Sequence, residues 1–254
     1  MENINTLFTI VGDKLTNYNA FPQCITYSEM IEFIDKGNFL DSYYQIGQGL
    51  SEESISFLIA KFERHGGSHL LVNGRDKLFS YASRKETHKY KKENILITSP
   101  ERVDEYHYHL NLVMDERGEL LQDHLTGYHI QGMVLIEAAR QAFLAVTEKF
   151  FYSDELPSSH YFVINSMNTS YQAFVFAVDT EIKYSIIEHA NKPGRDFYSV
   201  KIEFFQNETV CTTVDVEFTV FESARLEQKE FQLAQNAISY ATNHLESNIV
   251  RKAG

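Results

Sequence analysis

Tryptophan is absent from this 254-residue chain, and proline (four) and cysteine (two) are scarce. Cys24 and Cys211 are too few for a disulfide framework, and neither belongs to a Cys-x-x-Cys pair. Both facts argue against structural zinc and for a reducing, cytoplasmic setting. No apolar run approaches the roughly eighteen residues of a membrane-spanning helix, and the N-terminal MENINTLFTIVGDKL has neither the basic start nor the apolar core of a secretory signal. Basic side chains are in deficit: 23 Lys and Arg stand against 35 Asp and Glu, a net charge of −12 that repels a nucleic-acid backbone. Phosphate-binding Gly-x-x-x-x-Gly-Lys-Ser/Thr loops, Gly-x-Gly-x-x-Gly turns, Gly-x-Ser-x-Gly elbows and His-Glu-x-x-His helices are all missing, which argues against nucleotide, serine-hydrolase and zincin chemistry. What remains is an ordinary globular composition, 43% hydrophobic and 23% charged, with fifteen Tyr and nineteen Phe that favour an aromatic-rich β structure.

Residues 1–102 read as an α/β preface. An apolar run covers 7–11, and a helical pattern over 27–36 stops at Gly37. Ser51 is placed to cap a second helix whose face is Ile55, Leu58, Ile59 and Phe62, and Gly66-Gly67 ends it. Segments 70–72 and 78–82 are expected to form a hairpin around Asn73-Gly74-Arg75-Asp76. The run 84–92 carries Arg84, Lys85, Lys89, Lys91 and Lys92; it reads either as a solvated linker or as a surface that docks an acidic partner.

The pattern changes from Val103 onward. A strand over 106–114, with His107 and His109 on one solvent-facing side, is followed by a turn at 115–118. The polar stretch 123–129 then leads into residues 132–146, GMVLIEAARQAFLAV, a helix apolar nearly all round and so expected to be buried. Extended segments follow at 161–165, 170–178, 181–188, 197–206 and 209–221, where Tyr184, Phe197, Phe204, Phe205 and Phe218 would line a core or an apolar tunnel. Residues 224–248 place Phe231, Ala234, Ile238, Ala241 and Leu245 at helical spacing, predicting an amphipathic helix docked on the surface.

Glu137 is the residue that needs a reason, since a carboxylate inside an apolar helix requires a partner or a purpose. Arg140 and Gln141, three and four residues on, share its helix face. Two readings stand: a buried structural ion pair, or a carboxylate tuned for proton transfer, with burial raising its pKa and Arg140 lowering it. His124 and His129 precede the helix, while Gly127 and Gly132 would allow tight turns and close ligand approach. Free backbone N–H groups near Gly132 and Met133 would suit a thioester carbonyl or phosphate oxygen. No third ligand accompanies the two histidines at a recognisable spacing, so no metal site is expected.

The segment 123–142, DHLTGYHIQGMVLIEAARQA, resembles the signature helix of the hotdog superfamily, and most closely that of the AfsA-like (A-factor biosynthesis) hotdog domain. The resemblance spans about 103–222 and implies an α+β hotdog fold, in which a curved antiparallel sheet wraps a long central helix. Residues 1–102 would be an N-terminal α/β extension, and 223–254 a C-terminal helix. It further implies acyl thioesters bound between paired hotdogs, and an enzyme joining a β-ketoacyl carrier-protein thioester to glycerone phosphate on the way to γ-butyrolactone signals. Glu137 falls on the family's favoured catalytic carboxylate, Arg140 and Gln141 complete the Glu-Ala-x-Arg-Gln run, and no cofactor is required. The dehydratase pattern His-Phe-Pro-Gly appears here as His124-Leu125-Thr126-Gly127, one residue closer to the glutamate, which weakens a dehydration reading. AfsA resembles two fused hotdogs where this chain shows one, so a homodimer is expected, the alternative being that the N-terminal 100 residues take the second position. Catalysis would rest on Glu137 with His124 or His129, and substrate binding on Gly132, Met133, Arg140 and Gln141. A hotdog thioesterase or dehydratase, or a non-catalytic acyl-ligand-binding module, are the alternatives.

Overall fold

The long strands follow from alternation of β-branched and aromatic residues, and they build one antiparallel sheet. A computed structural model describes residues 6–78, 81–122, 127–152 and 160–253, apart from the side chains of 224–225 and 246–253. The elements are β1 (Thr6–Val11), β2 (Cys24–Thr26), α1 (Tyr27–Asp35), β3 (Ser42–Ile46), α2 (Glu52–Arg64), α3 (Gly74–Leu78), α4 (Arg84–Thr87), β4 (Glu101–Arg102), β5 (His107–Asn111), α5 (Glu119–Gln122), α6 (Gly132–Phe150), β6 (His160–Tyr171), β7 (Glu181–Lys192), β8 (Arg195–Gln206), β9 (Thr209–Glu222) and α7 (Ser223–Ala253). The large sheet has the order β4-β5-β7-β8-β9-β6, with every pairing antiparallel.

The helix α6 lies against the inner face of this sheet, which is the hotdog arrangement. Ala138, Ala139, Ala142 and Ala145 are fully buried, and their small side chains let the helix approach the strands closely. Phe143 stacks on Phe218 at 4.5 Å, and Phe218 on Tyr198 at 5.0 Å. Ala82, Ile95, Leu96 and Ile97, upstream of residue 103, join the same core.

The first residues form a smaller layer, a parallel sheet in the order β2-β1-β3 with its own core of Ile10, Met30, Ile34, Tyr44, Leu58 and Phe62. Its helix signals behave as their residues predict. Ser51 Oγ accepts from Ser54 N at 3.0 Å, and Gly37 and Gly66 end α1 and α2 at φ 74°. Tyr18 fastens this layer to the large sheet. Its buried hydroxyl donates to Tyr128 O at 2.5 Å and accepts from Ala177 N at 2.8 Å. Tyr18→Phe is therefore expected to cost about 2 kcal/mol in urea unfolding, because it strands a buried N–H; a loss below roughly 0.5 kcal/mol would show that the layers are held otherwise.

Four expectations need correction. The 70–82 hairpin does not form: Asn73 spends its side chain on Ile46, donating to its O at 3.1 Å and accepting from its N at 2.7 Å, and the chain then coils into α3. Segments 161–165 and 170–178 are not two strands. β6 runs unbroken to Tyr171 with a register shift at Asn165, after which the chain leaves the sheet edge. Phe197 and Phe205 are not core residues. Inward positions on β8 are the even-numbered Tyr198, Val200, Ile202 and Phe204, so period two turns Phe197 and Phe205 outward, where Phe205 lies under Lys183 at 4.2 Å. Finally, α7 is helical but not docked, and residues 227–245 are all exposed. His107 and His109 do face outward, paired with Asp104 at 2.8 Å and Glu181 at 3.1 Å. Among the described residues no helix is long and apolar enough to cross a membrane.

Candidate functional site

The site grows from the first two turns of α6. Gln131 caps the helix without a side-chain bond to it, so the first backbone N–H groups, on Gly132 and Met133, are not satisfied by a cap. Gly132 leaves room for the Tyr171 hydroxyl, which would lie 2.5 Å from a Cβ there and would have to swing aside for any other residue. Gly127 is exposed, and a Cβ there would meet nothing within 4 Å among the described residues, so no close approach depends on it. His129 stacks on Phe174 at 4.7 Å and pairs through its backbone with Phe176. His124 lies outside the described residues.

Gly132, Met133, Leu135, His129, Tyr171 and Phe174 line a cavity of about 710 Å³ beside the end of β6. One turn further along the helix, Met133, Ile136 and Glu137 line a second cavity of about 230 Å³, closed by Lys89, Asn94, Leu96 and residues 118–121. Met133 belongs to both. His129 and Glu137 therefore sit on different cavities, and the pairing of a histidine with the glutamate expected for acid–base work is not seen among the described residues.

Glu137 is held by three side chains. Arg140 donates from Nε to Oε2 at 2.8 Å and from a terminal nitrogen to Oε1 at 3.0 Å; Gln141 Nε2 donates to Oε1 at 3.1 Å; and Lys89 Nζ lies 2.6 Å from the same oxygen. Gln141 itself is fully buried, and its amide behaves like a strand residue. Its Oε1 accepts from Leu96 N at 2.8 Å, and its Nε2 donates to Asn94 O at 2.8 Å. It offers no free atom to substrate, so the substrate contact expected of Gln141 gives way to a positioning one. Burial pushes the Glu137 carboxyl up, but the hydrogen bonds from Arg140, Lys89 and Gln141 and the charge of Arg140 outweigh it and hold the group below its ordinary value. It is ionised at neutral pH, and Arg140 and Lys89 have no other carboxylate partner among the described residues.

Lys89 is the site residue that sequence reasoning did not single out. It follows α4, a helix capped reciprocally by Ser83 and Glu86 and packed on α6, and His88 turns the chain at φ 52° while its Nε2 meets Glu148 at 2.8 Å. The run 84–92 is thus mostly exposed, with Arg84 and Lys85 at the surface and Lys89 turned towards Glu137. Lys89 pairs with Glu137, Lys91 with Glu119 at 2.7 Å and Lys92 with Glu52, so the docking face expected for an acidic partner is largely neutralised.

Lys89→Met removes one of the donors and should raise the Glu137 pKa, which a carboxyl ¹³C NMR titration reads directly. In the wild type the folded pKa is depressed, so this group's contribution to stability is complete above the unfolded value of about 4.3 and is lost as pH falls through the lower folded value. The variant should lose it at a higher pH; an unmoved titration would mean that Lys89 is a bystander.

The family described as AfsA, A-factor biosynthesis hotdog domain, matches residues 73–222. No curated protein matches the chain. Solved structures similar to it include a conserved protein of Pseudomonas aeruginosa, with a TM-score of 0.41 at 12% identity over 55% of this chain and 100% of that one. The dehydratase heterocomplex ApeI:P from Xenorhabdus doucetiae gives 0.40 at 15% identity over 52% and 86%. A putative thioesterase from Shewanella oneidensis gives 0.35 at 10% identity over 48% and 81%.

Proposed function

Because this chain belongs to the A-factor biosynthesis hotdog family, we propose that it is an acyltransferase that moves a β-ketoacyl group from a carrier-protein thioester to a small hydroxylated acceptor such as glycerone phosphate. The observation that carries this reading is Glu137: a carboxylate on a largely apolar helix, held by three donors and lining a cavity that shares Met133 with a larger one. The acyl chain occupies the larger cavity, along Leu135, Phe174 and Val175. The N–H groups of Gly132 and Met133, at the positive end of α6, receive the oxyanion. The acceptor hydroxyl donates to Glu137. Its oxygen bonds to the thioester carbon as the C–S bond breaks, and its proton passes by way of Glu137 to the departing thiolate. His129 borders the acyl cavity and orients the thioester, and Arg140 steadies the carboxylate.

The active form in this reading is a homodimer. β6 is an edge strand, and residues 156–178 carry no Asp, Glu, Lys or Arg, the charges that usually keep sheet edges apart. A second reading, a non-catalytic acyl-ligand binder, is favoured by the ion pairing that keeps Glu137 a weak base.

Product analysis by mass spectrometry separates these readings. The purified protein is incubated with a panel of β-ketoacyl thioesters, with and without glycerone phosphate. An ester that forms only with acceptor supports acyl transfer. Free acid or enoyl product would move the assignment to a thioesterase or dehydratase, and thioesters that bind, raise Tm and survive intact would make the protein a binder.

A further inference from the structure

The helix α7 stays in touch with β6 as far as Glu230, which accepts from the Tyr161 hydroxyl at 3.1 Å, and from residue 227 to 245 every residue is exposed. On it, Phe231, Ala234, Ile238, Ala241 and Leu245 recur at intervals of three and four, a 3.5-residue period; Phe231, Ile238 and Leu245 are 69%, 68% and 62% exposed. A period of 3.5 is the signature of a helix that packs along a second helix, whereas docking on a globular surface tolerates 3.6 and a broader stripe. The same fifteen residues, 231–245, contain no Asp, Glu, Lys or Arg. Solvated helices carry charge. This one is neutral along the length of its apolar seam, in a chain whose net charge is −12.

We propose that α7 is a self-association helix and that its occupant is α7 of a second copy of this chain, paired antiparallel. Neutrality selects the second copy: two chains of −12 repel each other wherever charge is dense, and they can approach along a seam that has none. Alternation of size sets the direction. In an antiparallel pair centred between Ser239 and Tyr240, Ile238 faces Ala241 of the partner subunit and Leu245 faces Ala234 of the partner subunit. The four layers between residues 234 and 245 then each hold one bulky and one small residue, and the helices close up there. A parallel pair would instead stack Ile238 on its own copy and Ala241 on its own copy, alternately crowded and empty. The antiparallel contact is isologous and closes with a two-fold axis. It is separate from the β6 edge and from the acyl cavities.

The test is sedimentation velocity of the full chain across about 5 to 200 μM, a range suited to a seam of roughly two heptads. Wild type should associate as concentration rises, while Ile238→Asp/Leu245→Asp should stay at the smaller mass set by the hotdog body alone. Both residues are exposed in the single chain, so the variant loses no internal contact, and circular dichroism should show its helix content retained. Asn236→Asp, on the opposite side of the helix, should associate like wild type. Equal masses for wild type and the seam variant would overturn the proposal, as would equal dissociation by Asn236→Asp. Direction is read by oxidation in a Cys24→Ser/Cys211→Ser background: Ile238→Cys with Ala241→Cys should cross-link between subunits and Ile238→Cys alone should not. The reverse result would refute antiparallel pairing.

Discussion

Glu137→Gln is expected to lower acyl transfer by about 10²- to 10⁴-fold, the usual weight of a positioned acid–base group, while the chain stays folded. The amide keeps the shape of the carboxylate and can still accept through one oxygen from Arg140 or Lys89, so α6 remains anchored through Gln141 to residues 94–96. What goes is the negative charge that receives the acceptor's proton. The substitution also leaves Arg140 and Lys89 without a counter-charge, and because both are partly solvated the cost in stability is modest, about 1–2 kcal/mol. Steady-state kinetics beside urea unfolding resolves the two effects. Activity within about threefold of wild type would end the catalytic assignment of Glu137. A large loss of stability with no activity in either protein would leave the ion pair as purely structural.

The largest effect on stability is expected from Gln141→Leu, a loss of about 3 kcal/mol. Leucine fills nearly the same volume, so packing changes little. Hydrogen bonding changes severely: the buried N–H of Leu96 loses its acceptor, Asn94 O loses its donor, and Glu137 loses one of its three neighbours. Leu96 is 3% exposed, so water does not take the place of the amide. The same amide joins α6 to the segment that follows Lys89. Loosening it should therefore also weaken the Lys89–Glu137 contact and raise the Glu137 pKa in the NMR titration. A shift in the urea midpoint equivalent to less than about 1 kcal/mol would show that residues 94–96 hold to α6 by packing alone.

Much of this is visible in the residues before any coordinates are considered, wherever the physics is local. Ser51 and the two helix-ending glycines mark α1 and α2 because caps and left-handed turns depend on neighbours a few positions away. The alternation of Val214, Val216, Phe218 and Val220 makes β9 a strand with one buried face, and the Ala- and Leu-rich run makes α6 a buried helix. Glu137, Arg140 and Gln141 share a face because a helix brings i, i+3 and i+4 together whatever surrounds it. The resemblance of that same run to the AfsA-like hotdog domain likewise needed no coordinates, and the family match bears it out.

The remaining features depend on segments that meet across long stretches of chain, which no local period encodes. Lys89 looked like one cation in a charged run until the capped turn α4 packed on α6 and placed its Nζ against Glu137. Gln141 looked like a substrate contact until the backbone of 94–96 came up to consume its amide. Asn73 looked like a hairpin turn because Asn-Gly favours one, yet its side chain found the backbone of Ile46 and the turn became a helix. In each case local propensity is worth a few tenths of a kcal/mol to about one, and a buried polar group gaining or losing a partner is worth more, so the distant contact prevails. The seam of α7 reverses the logic: its heptad spacing is legible in the residues themselves, but only the folded chain shows it exposed among the described residues.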